Sequence, residues 1–255
     1  TTAFVIRRNY IAGYKGEYCR LISPTTQQGK EDMFLEGENR FAAEQANFSK
    51  IPGCPVAYWV GDTVIRAFEN NLLGQVAYPK TGFTTGNNDD YLRLWHEVSI
   101  DKVGSKWFAL NKGGAYRKWY GNNEYLVDWE NNGQHIKEQK GSTIRNPEYY
   151  FKEGVTWSKI TSYKFSGRYS PADHIFDAVG LMCFEGNNVD LDYILALFCS
   201  EISSYFLAIL NPTLSMTTGA VSNLPVIYSR KTSNEMKPIV KENVEIAKED
   251  WNSYE

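Results

Sequence analysis

Over most of this chain the apolar positions fall in short runs, interrupted by glycine and asparagine; longer helical spacing develops only in the last third. Thr2–Arg8 carries β-branched and aromatic residues and reads as a strand. A turn at Ala12-Gly13 and a second strand over Gly16–Ser23 follow, so the two strands are expected to pair as a hairpin. The stretch 29–47 is polar and expected to be partly helical. Asp62–Asn70 places Val64, Ile65 and Phe68 on one face behind Asp62, a good cap residue, and predicts a short amphipathic helix.

Between residues 74 and 170 the pattern becomes irregular and β-rich. Arg93–Ile100, Lys106–Leu110, Glu124–Trp129 and Thr156–Thr161 read as strands, with tight turns at Lys112-Gly-Gly-Ala and Gly121-Asn-Asn. Asp190–Leu210 then predicts one buried helix stopped by Asn211-Pro212. A short strand near Leu224–Tyr228 and a final helix from about Ser233 complete the expected elements. The fold class that results is α+β: a twisted, mostly antiparallel β-rich domain with packed helices.

Charge changes this picture because it is uneven. The net charge is −3 over 255 residues. Residues 1–79 hold 8 basic and 8 acidic side chains, residues 80–170 hold 14 and 10, and residues 171–255 hold 5 and 12. The middle is therefore the basic part, and it contains five of the seven tryptophans: Trp95, Trp107, Trp119, Trp129 and Trp157. Cations for phosphates, amides for base edges and flat rings are what nucleic-acid contact needs. A solvated face over an aromatic-rich core has the same composition. Cys19, Cys54, Cys183 and Cys199 form no CxxC pair and suit free thiols in a reducing cytoplasm. Three distant histidines give no support for a metal site. No apolar run reaches the ~18 residues of a membrane span, so a membrane is not an expected partner.

Three stretches carry a family resemblance. Lys80-Thr-Gly-Phe-Thr-Thr-Gly-Asn-Asn-Asp-Asp-Tyr-Leu-Arg-Leu-Trp resembles the G-x-x-T-G-x-N-x-x-F/Y opening of target recognition domains in type I specificity subunits and type IIG enzymes. Leu191–Ile227, a helix followed by Thr218-Gly219 and Asn223-Leu-Pro-Val, resembles the segment that closes such domains. Lys106–Trp129 (KWFALNKGGAYRKWYGNNEYLVDW) and Gly141–Trp157, ending IRNPEYYFKEGVTW, look like the adenine-specific DNA methyltransferases of BREX phage-defence systems. The last of these is the most specific, being long and rich in Trp and Gly.

The resemblance implies a fragment: residues 1–45 as trailing strands of a preceding methyltransferase domain, 46–228 as a target recognition domain, and 229–255 as the start of a helical region. It implies sequence-specific binding of double-stranded DNA beside a catalytic domain of the same polypeptide and other defence-system subunits, in the cytoplasm. S-adenosylmethionine would belong to the full-length enzyme, and the fragment should need no cofactor. Such an enzyme holds its flipped adenine with an Asn/Asp-Pro-Pro-Tyr/Phe motif, and no Pro-Pro pair occurs in this sequence. Asn146-Pro-Glu-Tyr is the nearest match and reads as a turn. No catalytic residue is therefore expected here.

The candidate DNA contacts are Lys80, Thr84, Thr85, Asn87, Asn88, Arg93, Lys112, Arg117, Lys118, Asn122, Asn123, Arg145, Lys164 and Arg168. Thr84, Thr85, Asn87 and Asn88 sit in a Gly-flanked loop that could meet phosphates or could simply form a turn. Lys112, Arg117 and Lys118 flank Gly113-Gly114, where backbone can approach a duplex. Asn122 and Asn123 carry the donor–acceptor pair that matches adenine, and Gly-Asn-Asn is also a routine turn. Trp119, Trp129 and Trp157 read as core, and His96 and His174 as structural. The rival from another class is a carbohydrate- or protein-binding module with an aromatic-rich β surface.

Overall fold

The computed structural model describes residues 2–9, 11–161 and 164–253. The chain divides into two compact units, Thr1–Glu69 and Asn70–Glu255. This division falls later than the boundary expected between residues 45 and 46, and the final helix is part of the second unit.

In the first unit, β1 (Lys15–Cys19) pairs antiparallel with β2 (Arg40–Glu44), Lys15 opposite Glu44 and Cys19 opposite Arg40. The connection contains α1 (Gln27–Leu35), capped by the Thr26 hydroxyl accepting from Gly29 N at 3.1 Å. The hairpin expected between Thr2–Arg8 and Gly16–Ser23 does not form. The described residues before β1 carry no strand, and Phe4, Val5 and Ile6 stand exposed. β1 instead takes its partner from the stretch read as partly helical. A 3-10 turn over Gln45–Lys50 and α2 (Asp62–Ala67) close the unit. Gly61 occupies the N-cap of α2, and Asp62 lies in the first turn, where its negative charge interacts favourably with the positive end of the helix dipole. Stacking of Tyr18 on Tyr58, centroids 4.6 Å apart, joins the strand pair to buried Phe48, Ile51, Val60 and Ile65.

The second unit contains two four-stranded sheets. One runs β3 (Tyr78–Lys80), β10 (Gly180–Phe184), β7 (Gly154–Ser158), β8 (Arg168–Ser170), antiparallel throughout. The other runs β4 (Leu92–Leu94), β6 (Tyr125–Asp128), β5 (Trp107–Asn111), β9 (His174–Phe176), antiparallel except for the parallel β5–β9 pair. The fold class is α+β, with mostly antiparallel sheets and packed helices. β5, β6 and β7 lie where the sequence predicts strands, within a residue or two at each start. The expected strand over Arg93–Ile100 shrinks to β4, because Trp95–Glu97 turns into a 3-10 helix.

Phe83, Leu110, Val127, Trp129, Ile136, Ile175, Phe176 and Met182 form one core drawn from both sheets. Gly82 is obligatory there: a Cβ would collide with the Phe176 carbonyl. The short α3 (Leu73–Val76) and α4 (Asn88–Tyr91) and the longer α5 (Glu130–Glu138) belong to the connections.

The helix expected over Asp190–Leu210 is two helices, α6 (Leu191–Cys199) and α7 (Glu201–Leu210), bent by 74°. Ser200 makes the break. It is extended at ψ 153, its N–H closes α6 on Leu197 O at 3.1 Å, and its hydroxyl caps α7 by accepting from Ser203 N at 3.3 Å. No single helix among the described residues is long and apolar enough to cross a membrane. The strand expected near Leu224–Tyr228 is also absent. After α8 (Thr218–Ser222) that stretch makes one isolated bridge, Leu72 to Pro225, and proline has no N–H with which to extend a ladder. The last helix, α9 (Arg230–Asn252), starts three residues earlier than expected because Ser229 caps it, accepting from Thr232 N at 3.1 Å. Asp190 ties α6 to α9. It caps α6 through Tyr193 N at 3.0 Å and accepts from Tyr228 at 3.1 Å, Ser233 at 2.5 Å and Lys237 at 3.4 Å.

Candidate nucleic-acid interface

All the candidate contacts lie in the second unit, and the fold sorts them into two groups. The first surrounds the Thr81–Tyr91 segment, which is clamped onto residues 135–146. Asn146 Nδ2 donates to Thr81 O at 2.9 Å. Thr84 and Thr143 exchange backbone bonds of 2.9 and 3.1 Å. The Tyr91 hydroxyl donates to His135 O at 3.3 Å and reaches Gln139 Oε1 at 3.2 Å. The loop tip is ordered by its own side chains. Buried Thr85 donates to Asn88 Oδ1 at 2.7 Å, and Asn87 caps α4 while donating to Asp90 at 2.7 Å. Asn87 and Asn88 thus act as turn formers and remain exposed, so both sequence readings of the loop are compatible with its geometry.

Two cations of this group carry no ion pair among the described residues. Lys80 lies over the Tyr149 ring at 4.7 Å, and exposed Arg145 offers only its carbonyl, to Tyr150 at 2.8 Å. Arg93 is turned to the backbone, donating to Asp89 O at 2.7 Å and Leu92 O at 2.6 Å. The same clamp brings up residues the sequence reading passed over. Lys137 and Lys140 are exposed and without an ion pair among the described residues. Asn131 and Asn132 are exposed in the left-handed conformation, φ 50 and 60, ahead of Gly133 at φ 68. Three consecutive left-handed residues are costly outside Asn and Gly. Asn-Asn-Gly after Trp129 was the signal available for them.

The second group follows the chain from β5 to β8, and there the cations already have partners. Lys112 pairs with Asp177 at 2.5 Å, and the second Asp177 oxygen accepts from Val179 N and Gly180 N. Arg117 pairs with Asp250 at 2.9 Å and lies over Trp251 at 4.9 Å. Lys118 and Lys164 share Glu201, at 4.0 and 2.8 Å. The hydrogen bond from Lys164 holds the Glu201 carboxyl below its usual range. Gly121, at φ 118, has to be glycine, since a Cβ would fall 2.5 Å from Arg117 Cδ and 2.8 Å from Trp251.

Two members of this group do not present themselves to a ligand. Asn122 is 5% exposed at φ 62 and spends its amide on Ala115 O at 2.8 Å, so it holds the turn. Arg168 is 1% exposed between β7 and the Trp119 backbone, so it cannot touch a phosphate directly. β8 packs its side chain inward, and burial pulls its pKa down to about 10. Asn123 is half-buried and makes no side-chain hydrogen bond among the described residues.

The chain is 36% identical over 281 residues to the adenine-specific methyltransferase PglX of Lacticaseibacillus casei (strain Zhang). It is 39% identical over 265 residues to the adenine-specific methyltransferase BrxX of Escherichia coli O9:H4 (strain HS). All of the chain is aligned in both cases. It matches one segment of these methyltransferases from end to end. That segment is 23% of the first relative and 21% of the second. No family model matches the chain. The likeness covers all of the chain, through both sheets to α9, so the sequence motifs around Lys80, Lys106–Trp129 and Asn223 belong to one continuous similarity.

Proposed function

We propose that the second unit binds double-stranded DNA and reads its sequence for an adenine-specific methyltransferase of a BREX or related defence system. The observation that carries this reading is the full-length similarity to one segment of two adenine-specific methyltransferases. The surface chemistry fits it. Lys80, Lys137, Lys140 and Arg145 lie on the segments around a turn whose exposed Asn87 and Asn88 could meet base edges or backbone, and the Asn123 amide makes no side-chain hydrogen bond among the described residues. In the intact protein the recognition unit would present the target adenine to a catalytic domain of the same polypeptide, which would use S-adenosylmethionine, in the cytoplasm with other defence subunits. The 255-residue chain lacks the Pro-Pro-Tyr/Phe segment and is expected to transfer no methyl group by itself.

Titration of the chain with labelled duplexes at several salt concentrations tests the proposal. Log affinity should fall linearly with log salt, as counterion release requires, while a neutral oligosaccharide should not bind. A chain that binds no duplex at low salt, or binds one without salt dependence, refutes it.

A further inference from the structure

Arg168 carries a buried charge with no ion pair among the described residues, and Glu124 acts on it only through space. Among the described residues its Nε and Nη1 have no hydrogen-bond partner, and Nη2 reaches Ser158 Oγ at 3.4 Å. A buried cation left in this state is expensive, and replacing such a group with an apolar one of similar volume often stabilises a protein.

Ser158 links this charge to the surface. Its hydroxyl accepts from Arg168, donates to Gly114 O at 3.0 Å, and lines an open pocket of about 10 Å³. That is room for one oxygen atom. Ser166 lines the same pocket, is 7% exposed, and makes no hydrogen bond among the described residues, so its O–H is available. Gly114 presents no side chain at the lip. Lys164 also lines the pocket and at present holds Glu201 at 2.8 Å, a carboxylate that competes for it with any incoming anion.

We propose that this pocket seats one oxygen of a DNA phosphodiester, with Ser166 donating to it, Lys164 flanking it, and Arg168 as the fixed counter-charge behind Ser158. The proposal rests on the reading that this unit binds DNA. Arg168 then acts without contact: the phosphate brings an anion towards a buried cation that has no ion pair among the described residues of the free protein. Inorganic phosphate has the same oxygen chemistry and can occupy the pocket alone, more weakly.

The test uses the 255-residue chain, Arg168→Met and Ser166→Val. Melting temperature is measured with and without inorganic phosphate, and affinity for a random-sequence duplex is measured against salt. Arg168→Met should melt higher than wild type in phosphate-free buffer and lose the phosphate-dependent stabilisation. It should bind duplex on the order of tenfold more weakly at low salt, with the salt slope reduced by about one. Ser166→Val fills the pocket and should lose phosphate and duplex binding in the same way without the rise in melting temperature. It decides the question if Arg168→Met does not fold. Wild-type phosphate response and duplex slope in either folded variant would overturn the pocket while leaving DNA binding intact. A wild-type chain that binds no duplex but is stabilised by phosphate through Arg168 would overturn the DNA occupant.

Discussion

Asn122 and Asn123 are adjacent and chemically identical, yet the structure predicts opposite consequences for their removal. Asn122→Ala loses the buried bond to Ala115 O at 2.8 Å, about 1 kcal/mol. It also places alanine at φ 62, a left-handed conformation that costs roughly 1 kcal/mol more for alanine than for asparagine. The side chain packs directly beneath Gly114 and is 5% exposed, so its loss also leaves a small void. The total is roughly 2–3 kcal/mol. Asn122→Gly relieves the backbone part and should recover about a third of it. The Asn123 side chain makes no hydrogen bond among the described residues, so Asn123→Ala should cost under about 0.5 kcal/mol. If Asn123 reads a base, that variant loses roughly 1–3 kcal/mol on the cognate duplex and almost nothing on random DNA. Asn122→Ala should instead weaken both duplexes together, through the loosened turn. Denaturant melts give the stabilities, and anisotropy titrations on the two duplexes give the affinities. A stable Asn122→Ala protein with a selective loss on the cognate site would refute the assignment of Asn122 to the turn. Equal loss on both duplexes for Asn123→Ala would remove it from base readout.

Asp190→Ala should destabilise the second unit by about 2–3 kcal/mol, because it removes the α6 cap together with the Tyr228, Ser233 and Lys237 contacts. Burial works to raise the Asp190 pKa, but the bonds from Ser233, Tyr193 N and Tyr228 and the Lys237 charge outweigh it and hold it below 3.8. Its stabilisation is therefore complete above about pH 4 and lost as pH falls through the folded value; Asp190→Asn should flatten this acid limb in a series of melts, and an unchanged limb counts against it. Neighbouring Asp192 is raised by burial and by Asp190, works in the opposite sense, and stays in both proteins. Glu201→Gln should remove the carboxylate that Lys118 and Lys164 share and tighten binding to random duplex several-fold at low salt; unchanged affinity would place both lysines away from the DNA path.

Legibility followed the physics of each element. β5, β6 and β7 were visible in the sequence because glycine or asparagine turns bound runs of aromatic and β-branched residues. β9 and β10 were not: His174–Phe176 is only three residues long, and Gly180–Phe184, though buried throughout like β7, has none of the β-branched residues that marked β7. The break at Ser200 was hidden by apolar residues that continue on both sides of it. A serine in such a run can sit inside a helix or cap a new one, and only packing decides. The first hairpin failed because its register depended on a partner strand, and β2 supplies one from residues that read as polar helix.

The sequence displayed the candidate cations but not their charge balance. Segment totals made residues 80–170 basic, but ion pairs ignore sequence distance: Lys112 finds Asp177 65 residues on, and Arg117 finds Asp250 133 residues on. The acidic last third therefore neutralises much of the middle in space. This matters for how binding would respond to salt. A cation that exchanges a protein carboxylate for a phosphate gains little, since it gives up one anion for another, whereas a cation facing solvent neutralises a phosphate outright and releases a counterion. Arg117, Lys118 and Lys164 belong to the first kind. Lys80, Lys137, Lys140 and Arg145 belong to the second, so the salt slope should be set by the face around the Asn87–Asn88 turn more than by the Gly113–Gly114 loop that the sequence favoured. The loop's contribution then depends on what Glu201 and Asp250 release, which makes these two carboxylates, outside the basic segment altogether, the residues that tune non-specific binding.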